Sequence, residues 1–142
     1  MNQRQKEHIR RTFAQIEPIA TVAATLFYGR LFEIDPDSKH LFRYDLGSPG
    51  MAQQGAKLMQ MIAVAVAHLD NLDNVIPAIE ALARRHTSYG VEARHYDTVG
   101  AALLWTLEQG LGRDFTLEVH DAWTTLYGTL AGAMKQAAYT PA

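Results

Sequence analysis

The chemistry-bearing residue types in this chain converge on His86. Read backwards at helical spacing it follows Leu82, Ile79 and Ala78, so its ring ends an apolar stripe and is directed towards a core rather than water. Two readings are open for a histidine so placed. It is either a satisfied helix-end residue or a neutral imidazole reserved for a metal or a cofactor. Three more polar side chains stand on otherwise apolar faces. Tyr28 lies among Ala24, Leu31 and Phe32, Gln54 stands one turn before Leu58, and Tyr96 begins an apolar stripe beyond Gly90. Singly, each of these is more often a packing residue. Together they ask for a common explanation, because buried polar groups need partners.

The elements that position these residues read as helices throughout. Asn2 can cap a first helix bearing Ile9, Phe13 and Ile16, which ends at Glu17-Pro18. A second runs from Pro18 to Ile34. Asp35-Pro36 then suits the start of a short helix through Leu41-Phe42, with Asp35 as its cap. Gly47, Pro49 and Gly50 mark a loop, and Met51 to Leu69 a longer helix. Asp73 can cap the helix carrying Ile76, Ile79, Leu82 and His86, and Gly90 ends it. Glu92 to Leu111 follows, broken by Gly110 and Gly112. A last helix starts near Asp114 to Thr116 and carries Trp123, Tyr127, Leu130 and Met134. No stretch alternates apolar and polar between hairpin turns. The expectation is an all-α domain of about seven helices, a single unit over residues 1–142.

Composition removes several classes of function. The 13 Lys and Arg against 15 acids leave a formal charge of -2 and no basic nucleic-acid surface. With no cysteine there is no disulfide, thiolate metal site or cysteine nucleophile. The polar N-terminus lacks a signal-peptide core, and the longest apolar run, Met61 to Ala67, is far short of the ~20 residues that cross a bilayer. A soluble cytoplasmic domain is the expectation. The other histidines carry less. His8 belongs to a charged helix, His40 to the short one, and His68 to a helix end. His95 points away from the Tyr96 face, and His120 is half-buried beside Trp123. There is no His-x-x-x-His pair, and Glu92-x-x-His95 lacks the repeat of a di-iron centre. Phosphate-cradling glycines and a nucleophile elbow are absent as well. A single axial histidine in an all-α protein points instead to haem.

The chain resembles bacterial single-domain haemoglobins of the Vitreoscilla type, related to the globin domain of flavohaemoglobins. The resemblance rests on Leu26-Phe27-Tyr28-Gly29-Arg30-Leu31-Phe32, Pro36 with Leu41-Phe42, Gln54 with Leu58, and Asn71-Leu72. It continues through Arg84-Arg85-His86, Tyr89-Gly90-Val91, His95-Tyr96 with Val99-Gly100, Ala122-Trp123 and Tyr127-Gly128. It implies a globin fold around a haem pocket, haem b as cofactor, and His86 as the proximal iron ligand. Phe42 is then the aromatic stacked on the haem, Tyr28 and Gln54 the distal polar pair, and Leu58 the rest of the distal wall. Leu82, Val91 and Val99 line the proximal side, with Tyr96 close to the imidazole. Arg85 and Lys57 are candidates for the haem propionates or simply solvated charges. An imidazole ligand needs its second N–H oriented by an acceptor, and a phenol donor at Tyr28 stabilises O2. Gln54 in place of a distal histidine disfavours a bis-histidyl state.

One departure stands out. Flavohaemoglobin-type globins place a glutamate late in the last helix, and alignment on Trp123 puts Ala138 there. No acid follows Asp121. His86 is therefore expected to behave as an ordinary neutral imidazole, which favours O2 binding over O–O cleavage. The resemblance implies reversible binding of O2, with NO and CO as further ligands, for oxygen binding, storage or transport. The enzymatic alternative is NO dioxygenation (nitric oxide detoxification), with Tyr28 and Gln54 as the distal residues and an external reductase as partner, since the chain stops at Ala142 without a reductase portion. A third alternative is a helical sensor or interaction domain without haem. The chain is expected to bind no nucleic acid and to be a monomer or homodimer.

Overall fold

The computed structural model describes residues 1–42, 44–88 and 90–139. Among them are six α-helices and four short 3-10 turns, with no strand. The first helix, α1 (Gln3–Ile16), starts with a capping box. The Asn2 carboxamide oxygen accepts from the Gln5 amide at 2.8 Å, and the Gln5 side chain accepts from the Asn2 amide at 3.0 Å. Its buried face is Ile9, Thr12, Phe13 and Ile16. A 3-10 turn over Glu17–Ile19, containing Pro18, leads into α2 (Ala20–Ile34).

A 3-10 turn at Pro36–Leu41 carries the chain to the loop before α3 (Pro49–Ala67). Two capping expectations are corrected in this half and the next. Asp35 makes no side-chain cap. Its backbone carbonyl accepts from both the amide and the hydroxyl of Ser38, and its carboxylate turns to Arg94 instead. The cap of α3 is Ser48, whose hydroxyl accepts from the Met51 amide, so Pro49 and Gly50 belong to the first turn rather than to a loop. Asp73 lies inside the 3-10 turn Leu72–Asn74, and α4 (Ile76–Ser88) begins only afterwards. The chain ends with α5 (Ala93–Leu111) and α6 (Leu117–Tyr139). Among the described residues the count is therefore six α-helices, because the short segment expected after Pro36 is a 3-10 turn.

Helix α2 packs on α5 and α3, while α1 and α4 pack on α6. The core between α1, α5 and α6 is organised on Trp123, 1% exposed. Its indole N–H donates to the Thr12 hydroxyl at 2.9 Å, and that hydroxyl donates to the His8 carbonyl at 2.7 Å. A buried indole thus finds its acceptor, as it must. A second, smaller cluster of Phe27, Tyr28, Leu31, Phe32, Met51 and Ala102 fills the space between α2, α3 and α5. The close crossing of α2 and α3 depends on Gly55, where a Cβ would stand 2.7 Å from the Ala24 methyl.

Candidate functional site

His86 occupies the last turn of α4, half-buried. Its Nδ1 donates to the Leu82 carbonyl, one turn earlier, at 2.8 Å. That bond selects the tautomer with the proton on Nδ1, so Nε2 carries the lone pair a metal would use. The chain turns away immediately afterwards. The Val91 amide donates to the His86 carbonyl at 3.1 Å, and Gly90 takes a φ of +96°, which a side chain would strain. A Cβ on Gly90 would lie 3.7 Å from Leu41, so this turn meets the segment that leads to Phe42.

The second group of expected residues is brought together around Tyr28, which is 4% exposed. Its ring has Phe27 at 5.0 Å and Phe42 at 5.3 Å between centroids, both edge-on, and Phe32 at 6.3 Å. Phe42 in turn meets Phe32 at 5.6 Å. Such edge-to-face pairs hold a ring in one orientation. Leu58 and Val99 pack on the same cluster. Gln54 on α3 acts on the Tyr28 phenol. Burial pushes the phenol's pKa up to about 12, and the weaker pull of Gln54 acts the other way. The phenol therefore stays protonated, and remains a donor, across the neutral range.

The remaining expected residues are more dispersed. Leu82 and Val91 are half-buried on either side of His86. Tyr96 is buried near the start of α5, and its backbone carbonyl accepts from the Tyr127 hydroxyl, whose pKa burial raises. Lys57 and Arg85 are both exposed. Ala138 is half-buried on α6.

One residue that the sequence reading placed to one side proves central to this region. His95 is buried beside Tyr96. Its Nδ1 accepts from the Glu92 amide at 2.8 Å, which puts the ring proton on Nε2, 3.9 Å from the Asp35 carboxylate. Arg94 bridges the same two acids, at 3.2 Å to Asp35 and 2.9 Å to Glu92. This cluster ties the end of α2 to the start of α5. The available signal was the spacing Glu92-x-x-His95, a capping box with histidine in the place of glutamate or glutamine.

Among the described residues no three His, Cys, Asp or Glu side chains gather as a bare-ion site. What remains is one imidazole with an oriented tautomer, a buried phenol with a half-buried amide side chain on the neighbouring helix, and an apolar surround. This donor set fits haem, which would need a single protein nitrogen such as that of His86 to hold its iron. Residues 25–134 match the globin family model. The chain belongs to the globin family. This globin is 31% identical to a neuroglobin of Chaenocephalus aceratus, over 96% of the chain and 91% of that protein. It is 35% identical to a flavohaemoprotein of Vibrio cholerae, over 89% of the chain but only 32% of that longer protein. A neuroglobin of Tetraodon nigroviridis is 29% identical over 96% of the chain. The resemblance to the globin domain of flavohaemoproteins is met; neuroglobins match as well, and these relatives do not single out the bacterial single-domain type. No helix among the described residues is long and apolar enough to cross a membrane.

Proposed function

We propose that this globin, as a single domain, holds haem b through His86 and reversibly binds O2, with NO and CO as further ligands, for oxygen storage or delivery. The observation that carries the reading is the His86 Nδ1 hydrogen bond to the Leu82 carbonyl, which orients the ring and leaves the lone pair on Nε2. When bound, ferrous haem would supply the iron that takes up a diatomic ligand. The chain's own residues do the rest. Tyr28 offers a protonated phenol held in place by the Phe27, Phe32 and Phe42 rings, and Gln54 would be the second distal polar group. A donor of this kind slows the escape of a ligand that takes on negative charge. Leu58 and Val99 keep the surround apolar. The backbone carbonyl behind His86 is a weaker acceptor than a carboxylate, and no acid follows Asp121 on α6. A proximal ligand backed in this way suits binding rather than O–O cleavage.

Absorbance spectra of the ferric, ferrous and CO-treated protein test this. A Soret band that shifts between the three forms is expected, and His86→Ala should lose stable haem retention. A purified protein with no Soret band after haem reconstitution would overturn the reading in favour of a haem-free helical domain.

The 35% identity to a flavohaemoprotein supports a second reading, NO dioxygenation. Its balance is NO plus O2 plus one electron giving nitrate, the electron coming from an external reductase. Tyr28 and Gln54 would hold the O2 through the reaction. Mixing the O2-loaded protein with NO in the presence of a flavin reductase distinguishes the two. Repeated turnover supports the dioxygenase, and a single stoichiometric oxidation without cycling removes it.

A further inference from the structure

A cleft of about 470 Å³ lies between the first half of α2 and α3, with Leu46–Ser48 along one edge. Sites for small organic molecules run from about 300 to 1,000 Å³, so the cleft has room for one. Its character changes along its length. Glu17, Ala20, Thr21, Ala24, Thr25 and Tyr28 line it at helical spacing, which covers about 16 Å at ~1.5 Å per residue. At one end lie Tyr28 and Met51, each 4% exposed. At the other stand Phe13 and Glu17. The Glu17 amide donates to the Phe13 carbonyl, so the two are one turn apart on the same face. Among the described residues that line the cleft, Glu17 alone is charged, and its carboxylate enters no ion pair among them. The last turn of α1 also holds no basic residue, which leaves the negative end of that helix without a cation.

We propose that the cleft binds a single-chain cationic amphiphile, an ammonium group on one unbranched apolar chain. The head sits at Phe13 and Glu17, and the chain runs along α2 towards Met51 and Tyr28. A carboxylate, an aromatic ring and a helix C-terminus at one end each favour a positive charge, and a quaternary ammonium is the cation aromatic rings recognise best. The other chemistries fail on the same lining. A fatty carboxylate would bring its charge against Glu17 and find no cation. A sugar or a nucleotide would lay polar groups on Ala24, Met51, Met59 and Ala63, where they go unpaired. The Thr25 hydroxyl on the rim already donates to the Thr21 carbonyl at 3.1 Å, so its proton is not offered to a ligand midway. An exposed ion pair adds little by itself. Affinity therefore comes from covering the apolar lining, and Glu17 sets the sign of the charge accepted. None of this rests on the haem reading.

The experiment titrates the full chain, haem-loaded as the ferrous CO complex, with decyltrimethylammonium kept below its micelle-forming concentration. A quaternary nitrogen has no lone pair, so it cannot act by ligating iron. Calorimetry should show saturable one-to-one binding with the Soret band unmoved. The ¹³C-methyl resonances of Met51 and Met59 should shift, while that of Met134, which does not line the cleft, should not. Decanoate should bind about tenfold more weakly, because an attraction is replaced by a repulsion of similar size. Glu17→Gln should weaken decyltrimethylammonium by about threefold and remove most of the preference over decanoate. Ala56→Trp, at an exposed position within the cleft, should block both probes. Binding that never saturates, equal shifts at all three methionines, or decanoate binding as tightly as the cation would each overturn the site. So would a charge preference that survives Glu17→Gln. Absence of a Soret band would remove the haem reading alone, since the same titration and methionine shifts can be read without haem.

Discussion

Tyr28 on α2 meets the Phe42 ring edge-on at 5.3 Å, in a space that Phe27 and Phe32 also close, and burial raises the Tyr28 phenol to about 12. The donor is thus fixed in protonation by desolvation and in direction by packing. Tyr28→Phe removes the hydroxyl while leaving the ring contacts. A neutral hydrogen bond contributes ~1 kcal/mol net and more when shielded from water, so the O2 dissociation rate should rise about tenfold. Stopped-flow displacement of O2 by CO measures it. The rate in the unsubstituted protein should be flat between about pH 6 and pH 9, because the phenol does not titrate there.

The same shift predicts where alkali unfolds the protein. A phenol whose folded pKa is raised favours the protonated form, so the stability linked to it is fully present below the unfolded value near 10. It is lost as pH rises from there through about 12. Two units correspond to on the order of 2–3 kcal/mol. Tyr127 is shifted in the same direction by burial and adds to the loss. Urea midpoints should therefore hold steady up to about pH 9 and fall beyond about pH 10. Tyr28→Phe should show a shallower fall. Equal slopes in the two proteins would contradict the assignment.

His95 gives a prediction about stability rather than ligand chemistry. Its Nδ1 closes the capping box at the start of α5, and its Nε2 faces Asp35. His95→Ala removes both and leaves the Glu92 amide without that acceptor, at a cost of about 1–2 kcal/mol. His95→Gln can still reach back to the Glu92 amide, as glutamine does at this position of a capping box. It should recover most of the loss in a denaturant titration. If both variants lose equally, the Asp35 contact matters more than the cap.

The apolar faces were legible from sequence because periodicity is a local property. Ile9, Phe13 and Ile16, or Trp123 and Leu130, lie on one side of a helix wherever that helix packs. The grouping of Tyr28, Phe42, Gln54 and Leu58 was legible only through the resemblance, since nothing local joins α2 to α3. Misplacements arose where a short-range signal competed with a tertiary one. Asp35-Pro36 has the form of a helix start, yet the Asp35 carboxylate is drawn to Arg94 and faces His95, both on α5. Gly47, Pro49 and Gly50 have the composition of a loop, but a proline in the first turn is compatible with a helix and Ser48 caps it. The cleft beside Tyr28 was beyond any sequence signal. It arises from how two helices approach each other, and the spacing of residues within either one does not encode that distance.

That approach is set at Gly55, and the last prediction tests it. A Cβ there would stand 2.7 Å from the Ala24 methyl, and both atoms are fixed to helix backbone rather than to a flexible side-chain end. Neither can step aside, so Gly55→Ala must push α2 and α3 apart. Alanine's better helix propensity would by itself stabilise α3 by up to ~1 kcal/mol. Overpacking a closed contact costs about 1–3 kcal/mol, so the net effect should be destabilising despite the favourable propensity. The displacement falls one helical turn from Tyr28 and next to Gln54 in sequence, so it shifts these two side chains relative to each other. Gly55→Ala should accordingly lower the urea midpoint and also raise the O2 dissociation rate, in the direction of Tyr28→Phe. The doubly substituted protein separates the two contributions. If the Gly55 change acts through the Tyr28 hydroxyl, it should add little to the dissociation rate once that hydroxyl is gone. Its full effect on stability should remain. An undiminished effect on the dissociation rate in the double variant would mean that the α2–α3 spacing controls ligand escape without the Tyr28 hydroxyl.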